Sequence, residues 1–259
     1  MIDAHCHLHF PILQARASAL IDEMADAGIH HAIVNGTCEH DWQDVAQLCT
    51  RFPALLRPAY GLHPWKILQR TSSWHENLAL ILASHPHASI GECGIDHWRI
   101  DLPKDQQREV FAQHIALSRQ YDRPMSIHGL KAWQAIAQEI AAQKPIPPFL
   151  LHSYSGPVDM IPHFAKLGAY FSFSAYFFEP RKVAVLEMFR SIPTDRLLIE
   201  TDAPDMKGPA HLYPEFSAYP FHHPRALSRT AALLALFLHR DCSELEQQTD
   251  ENAKRLFRL

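Results

Sequence analysis

Two histidines one residue apart, His5 and His7, lie in the run Asp3-Ala4-His5-Cys6-His7. The segment Met1-Ile2-Asp3-Ala4-His5 reads as a short β-strand, and residues two apart on a strand point to the same face. The pair therefore presents two imidazoles side by side, and neutral imidazole is a common ligand for zinc and similar divalent metals. Alone, such a pair carries little information. Four more side chains of ligand type follow at the ends of other strand-like runs: Glu92 in Gly91-Glu92-Cys93-Gly94, then His128, His152 and Asp202. Four histidines and two carboxylates can hold two divalent metals and leave positions for water and substrate. Glu92 has two oxygens and could bridge both ions. Asp202 could bind a metal and accept a proton from the attacking water. Each residue taken singly has a plainer reading. A strand-end histidine is often only a satisfied polar group, Glu92 could cap a helix, and Asp202 before Ala203-Pro204 could start a turn. Six together are harder to explain that way, because charges inside apolar runs are costly unless paired or metal-bound.

The elements that must position these groups can be read from periodicity. Strands are expected at Ile2–His5, Ala32–Asn35, Leu56–Gly61, Ser89–Cys93, Pro124–His128, Phe149–His152, Ala169–Ser174 and Leu197–Thr201. Several are continuous apolar runs, as parallel strands covered by helices require. Helices are expected at Ala15–Ala27, Asp41–Arg51, Ser73–Ser84, Lys104–Tyr121, Ala132–Gln143, Val158–Leu167, Arg181–Arg190, Pro224–Arg240 and Ser243–Phe257, several ending at Gly or just before Pro. Eight strands alternating with helices over 259 residues point to a (β/α)8 TIM barrel. The competitor is a doubly wound open sheet. The polar residues decide for the barrel, which gathers the C-terminal ends of many strands around one axis. The first βα turn also lacks a G-x-G-x-x-G fingerprint. No linker or internal repeat divides the chain, so one domain over 1–259 is expected.

Composition narrows the function classes. The chain is 47% hydrophobic and 20% charged, ordinary for a protein with a substantial core, and its net charge is −4. That argues against a broad basic face for duplex binding, though not against a few cations around one phosphate. The five cysteines, Cys6, Cys38, Cys49, Cys93 and Cys242, form no C-x-x-C pair, which fits a reducing compartment rather than a disulfide framework. No leader-like segment precedes the first strand and no run approaches membrane-spanning length, so a cytoplasmic location is expected.

The chain resembles the TatD-family metal-dependent hydrolases, a branch of the amidohydrolase-like barrels. The resemblance runs nearly end to end. It rests on Asp3-Ala4-His5-Cys6-His7, Gly61-Leu62-His63-Pro64, Gly91-Glu92-Cys93-Gly94-Ile95-Asp96, His128, Leu151-His152-Ser153-Tyr154-Ser155-Gly156 and Glu200-Thr201-Asp202-Ala203-Pro204. It implies a two-metal site of His5, His7, Glu92, His128, His152 and Asp202, with His63 close to a substrate phosphate. It also implies phosphodiesterase activity, usually described as deoxyribonuclease. Two segments depart from the family pattern. His128-Gly129-Leu130 stands where His-Ser-Arg or His-Cys-Arg is usual, and His222-His223-Pro224 where Asn-x-Pro is usual. Arginine recognises phosphate through a bidentate fork, so its loss weakens the phosphate inference specifically. Lys131 could supply a point charge, but reads better as a solvated helix-start residue.

Other residues carry secondary expectations. His63 follows the third strand and can serve as a phosphate-binding or acid group, or as loop packing. Asp96 and Glu200 could orient ligand histidines through their second ring nitrogen. Cys6 and Cys93 alternate away from the ligands and belong to the core. The loop from Asp205 to His223 carries Tyr213, Phe216, Tyr219 and Phe221. These could stack on nucleobases, but packing the loop against the barrel rim is the favoured reading. Arg99, Arg181, Lys182 and Lys207 fall on active-face segments and default to solvated charge.

The leading functional expectation is metal-dependent hydrolysis of a phosphodiester in single-stranded DNA, DNA ends or a small phosphodiester. Asp202, Glu92 and His63 are its catalytic candidates. The mixed donor set favours zinc or manganese, with cobalt and magnesium as alternatives. No membrane and no obligate protein partner are implied. The alternatives are a hydrolase of a small amide, ester or lactone, and a non-catalytic metal-dependent binding protein.

Overall fold

The computed structural model describes all residues from Met1 to Leu259. Eight strands run β1 (Ile2–Cys6), β2 (His31–Asn35), β3 (Leu56–Tyr60), β4 (Ser89–Asp96), β5 (Met125–Leu130), β6 (Phe149–Leu151), β7 (Ala169–Phe173) and β8 (Leu197–Ile199). They form one parallel sheet in sequence order, β1 to β8. The helices are α1 (Pro11–Gln14), α2 (Ala17–Asp26), α3 (Trp42–Arg51), α4 (Trp74–Ser84), α5 (Lys104–Tyr121), α6 (Trp133–Ala142), α7 (Ile161–Leu167), α8 (Val183–Met188), α9 (Ala226–Phe237) and α10 (Cys242–Phe257). The (β/α)8 barrel expected from periodicity is therefore the fold.

Two apolar layers hold it. The larger lies between strands and helices and contains Val34, Cys93, Ile127, Leu151 and Phe171 with Leu20, Val45, Phe111, Ile136 and Phe164. The smaller fills the barrel interior with Ile2, Ala4, Ile33, Ala59, Leu150, Tyr170 and Leu198. It continues into Ala253, Leu256 and Phe257 of α10, which caps the end of the barrel where the strands begin. Apolar side chains on both faces of the strands explain their unbroken hydrophobic character. Asp241 starts α10 by accepting from the Glu244 N–H at 3.0 Å, and Gly168 ends α7 at φ 102°.

β8 does not join β1 through a regular ladder. The seam is closed above the strand ends by Asp202 N–H to the His5 carbonyl (2.9 Å) and His7 N–H to the Ala203 carbonyl (2.7 Å). The carboxylate of Asp3 completes it, accepting from the Thr201 N–H at 3.0 Å and from the Thr201 hydroxyl. Burial pushes the Asp3 carboxyl up to about 7, against those hydrogen bonds.

The expected elements shift at their edges. The helix expected at Ala15–Ala27 begins at Ala17, because Pro11 starts a separate short helix and Arg16 sits between the two outside helical geometry. β4 continues past Cys93 to Asp96. The helix expected at Pro224–Arg240 starts at Ala226.

Candidate metal centre

Two β-bulges aim the ligand-type side chains. Between Asp3 and Cys6, β1 advances three residues while β2 advances two, from Ala32 to Val34. β4 does the same between Ile90 and Cys93, opposite Met125 and Ile127 of β5. One extra residue inverts the inside-outside alternation beyond it. Cys6 and Cys93 thereby join the shell beneath the helices, as expected of core residues, while His5, His7 and Glu92 turn into the barrel mouth.

There the six side chains converge into two groups that share Glu92. Around Glu92 Oε2 stand His7 Nε2 at 3.2 Å and His5 Nε2 at 3.4 Å. The same nitrogens lie 3.3 and 3.5 Å from Asp202 Oδ1, and 3.2 Å from each other. Around Glu92 Oε1 stand His152 Nε2 at 2.9 Å, His128 Nδ1 at 3.1 Å and His63 Nε2 at 3.1 Å. Tetrahedral coordination with bonds of about 2.0–2.1 Å puts donor atoms about 3.3–3.4 Å apart. The first group matches that spacing at every separation given. Its donor chemistry, two imidazoles and two carboxylate oxygens, fits a divalent metal.

Ring tautomers separate ligands from a donor. His7 Nδ1 lies 2.7 Å from the Asn35 carbonyl, which can only accept, so Nδ1 carries the proton. Its Nε2 then faces two carboxylates, which a second ring proton or a bound cation can satisfy. His128 Nε2 lies 3.0 Å from Asp96 Oδ2 and donates to it, leaving Nδ1 free for a metal. His63 is the reverse. Its Nδ1 accepts from the Trp65 N–H at 3.1 Å, so a neutral His63 presents Nε2–H to the site. That geometry suits hydrogen bonding to water or a phosphate oxygen better than metal ligation.

Electrostatics agree with this division. Burial holds His63 down, to about 4, despite the neighbouring Glu92. Burial also opposes charge on His7, but Asp202 and Glu92 overcome it and raise the ring to about 10. Burial likewise opposes charge on Glu92, yet the surrounding histidines keep its carboxyl well below the usual range. The carboxylates thus demand positive charge close by, and protons and metal ions compete to supply it.

Asp96 and Glu200 sit behind ligand-type histidines, where the sequence places them. Asp96 contacts His128, and Glu200 Oε1 lies 3.5 Å from His152 Nδ1. Glu200 also accepts from Ser153 N–H (2.8 Å), the Ser153 hydroxyl and the Ser172 hydroxyl, which leaves it little capacity to bind metal. Ser126 reaches His5 Nδ1 at 2.7 Å. Sequence reasoning assigned no role to Ser126, Asn35 or Asp3. Asp3 had a signal, since it belongs to the same short motif as His5.

The loop aromatics pack inward. Tyr213, Phe216 and Phe221 are buried, and the Tyr213 hydroxyl lies 3.0 Å from that of Thr230. Nucleobase stacking by these residues is therefore set aside in favour of rim packing. The cations are committed too. Lys207 fastens the loop through the Ser217 and Tyr219 carbonyls, Arg181 and Lys182 lie over Tyr176, and Lys131 is exposed.

Both departures from the family pattern have local explanations. His222 Nδ1 lies 2.8 Å from the Thr201 carbonyl and 3.2 Å from that of Asp205, so it ties down the turn after β8. At Gly129, a Cβ would meet the Trp133 ring at 2.5 Å and Ile136 Cδ1 at 2.8 Å. The space that a serine or cysteine would use is filled by Trp133. Gly129→Ser is accordingly expected to cost about 1–3 kcal/mol from overpacking. Urea unfolding checks this, and Trp133→Leu in the same chain should recover part of the loss. A serine variant as stable as the parent would refute the crowding.

Comparisons with known proteins agree with this architecture. Residues 2–258 match the family model described as TatD related DNase. YjjV of Escherichia coli K12, an uncharacterized metal-dependent hydrolase, is 26% identical over 260 residues, covering 100% of this chain and 98% of the relative. A 3'-5' ssDNA/RNA exonuclease TatD from Edwardsiella piscicida is 29% identical, covering 90% of each chain. The crystal structure of the Escherichia coli YjjV protein superposes with a TM-score of 0.90 at 24% identity, over 100% of this chain and 98% of that one.

Proposed function

The chain belongs to the TatD related DNase family of metal-dependent hydrolases, and from that premise we propose that it hydrolyses phosphodiester bonds at the ends of single-stranded nucleic acid. The observation that carries the reading is the placement of Glu92, with one oxygen toward His5, His7 and Asp202 and the other toward His128 and His152. Relatives named 3'-5' ssDNA/RNA exonuclease support the substrate class.

In this reading His5, His7, Asp202 and Glu92 hold one divalent metal and Glu92, His128 and His152 a second. Zinc or manganese suits the donors best. Bound there, such ions supply an activated water near neutral pH and polarise a phosphoryl oxygen. Asp202 would take the proton of the attacking water. His63 presents Nε2–H, and its neutral form at pH 7 can donate to a phosphoryl oxygen. Asp96 keeps His128 in the ligating tautomer, and Asn35 does the same for His7.

End-labelled single-stranded DNA incubated with zinc- or manganese-loaded protein should shorten from its end. A chelator should abolish the shortening, and returned metal should restore it. Full-length label after incubation with each metal, beside an active nuclease control, would overturn the proposal. A second reading gains support from Leu130, which occupies the position of the family arginine, and from Arg99, which is paired with Asp101. A carbonyl substrate such as an amide, ester or lactone needs no guanidinium fork. A panel of phosphodiesters and lactones separates the two.

A further inference from the structure

Of the five tryptophans, Trp42, Trp74 and Trp133 are buried at 4, 4 and 7% exposure, as large apolar side chains ordinarily are. Trp65 and Trp98 are 40 and 53% exposed. They come from different βα connections, Trp65 from the turn after β3 and Trp98 from the loop after β4. Leu68 and Ile100 extend the exposed apolar surface on the same two segments.

One carboxylate ties both segments to the metal centre, holding Trp65 by its indole and Trp98 by its main chain. Asp96 Oδ2 accepts from the Trp65 indole Nε1–H at 2.7 Å and contacts His128 Nε2 at 3.0 Å. Asp96 Oδ1 accepts from the Trp98 N–H at 2.7 Å and from the Arg99 N–H at 3.2 Å. The Trp65 ring centroid lies 5.2 Å from that of His63 and 6.3 Å from that of His128. The Arg99 guanidinium lies over the Trp65 ring at 5.5 Å, fixed there by two hydrogen bonds to Asp101. The indole is thus oriented by hydrogen bonding and stands at the site's edge, with much of its surface in water.

We propose that Trp65 is a stacking platform for the unpaired bases next to the bond being cut, with exposed Trp98 on the neighbouring loop as a second base contact. The proposal rests on the phosphodiester reading above and gives it a mode of substrate recognition. Stacking on an aromatic face is tolerant of base identity, because every base has a π-face. It also needs bases freed from a duplex, so the platform selects single strands and ends. Arg99 lies beside the ring but is paired with Asp101, so the aromatic surface rather than this cation carries the contact. A chain with net charge −4 and few free cations at this mouth gains its hold on the substrate from base surface rather than from a basic track.

The test uses fluorescence. Phosphorothioate-linked oligothymidylate, which resists hydrolysis, is titrated into the full-length zinc-loaded protein while tryptophan emission is followed. With the other three tryptophans buried, quenching reports on Trp65 and Trp98. The expected result is saturable quenching by oligothymidylate and little by an abasic strand of equal length. Trp65→Ala and Trp98→Ala should each weaken oligothymidylate binding roughly tenfold and leave the abasic strand's affinity nearly unmoved. Trp65→Phe keeps a ring but loses the bond to Asp96, and should retain most of the affinity. Equal binding of abasic and base-bearing strands, or alanine variants that bind as the parent does, would overturn the platform. Binding needs no turnover, so the two readings fail separately. Quenching without cleavage retires the phosphodiesterase and keeps the platform. Cleavage with equal KM for abasic and base-bearing ends does the opposite.

Discussion

Glu92→Gln should lower turnover by at least about a thousandfold while the barrel still folds. A metal clamp contributes several kcal/mol of transition-state stabilisation, and Glu92 is the carboxylate whose two oxygens face the two groups of histidines. Glutamine has nearly the same shape but no charge, and its NH2 would face imidazole lone pairs instead of completing a ligand set. The variant should also hold less metal after dialysis, which mass spectrometry of the bound ions measures directly. Full metal content with activity within tenfold of the parent would show that the site does not depend on the bridge.

Gly94→Ala should be among the most damaging single-methyl additions in the chain, costing at least about 4 kcal/mol. Gly94 has φ 142°, and a Cβ there would run into the His128 carbonyl oxygen and lie 2.9 Å from the His128 nitrogen and carbonyl carbon. Those atoms are main chain of the paired strand, β5, and cannot swing aside. Gly28 is the control. Its φ is 75°, nothing lies within 4 Å of the added carbon, and alanine there should cost only about 1 kcal/mol. Chemical denaturation of the three proteins measures the contrast. Equal losses at the two positions would mean that backbone conformation, not the close approach of β5, sets the cost.

The strands and the barrel were legible in the sequence because hydrophobic runs on both faces and their alternation with helices report directly on burial. The edges were less so. The strand expected to end at Cys93 runs on to Asp96, because Gly94 continues the pairing at a backbone angle that other residues rarely adopt. The bulges are invisible in a pattern of residue types. His5 and Glu92 face inward because of them, and strict alternation from Ile2 or Ile90 would have pointed each residue the other way. The convergence of His5, His7, Glu92, His128, His152 and Asp202 could still be read, since they lie at or near the ends of five strands of one barrel. The ring nitrogen that His63 turns to the site could not, because it depends on which one meets the Trp65 N–H. Trp65 and Trp98 passed unnoticed because sequence periodicity does not tell an exposed tryptophan from the three buried ones.

The seam between β8 and β1 bears on how the site comes into being. Asp3 meets Thr201 across 198 positions of chain, and His5 and His7 find Asp202 only through the same closure. During synthesis the two N-terminal histidines emerge first and wait for residue 202 of 259. Until then Asp3 has no Thr201 to bond, and the donor set around His5 and His7 lacks a carboxylate. On the proposed metal reading, a complete donor set around His5 and His7 would form only when the last strand arrives.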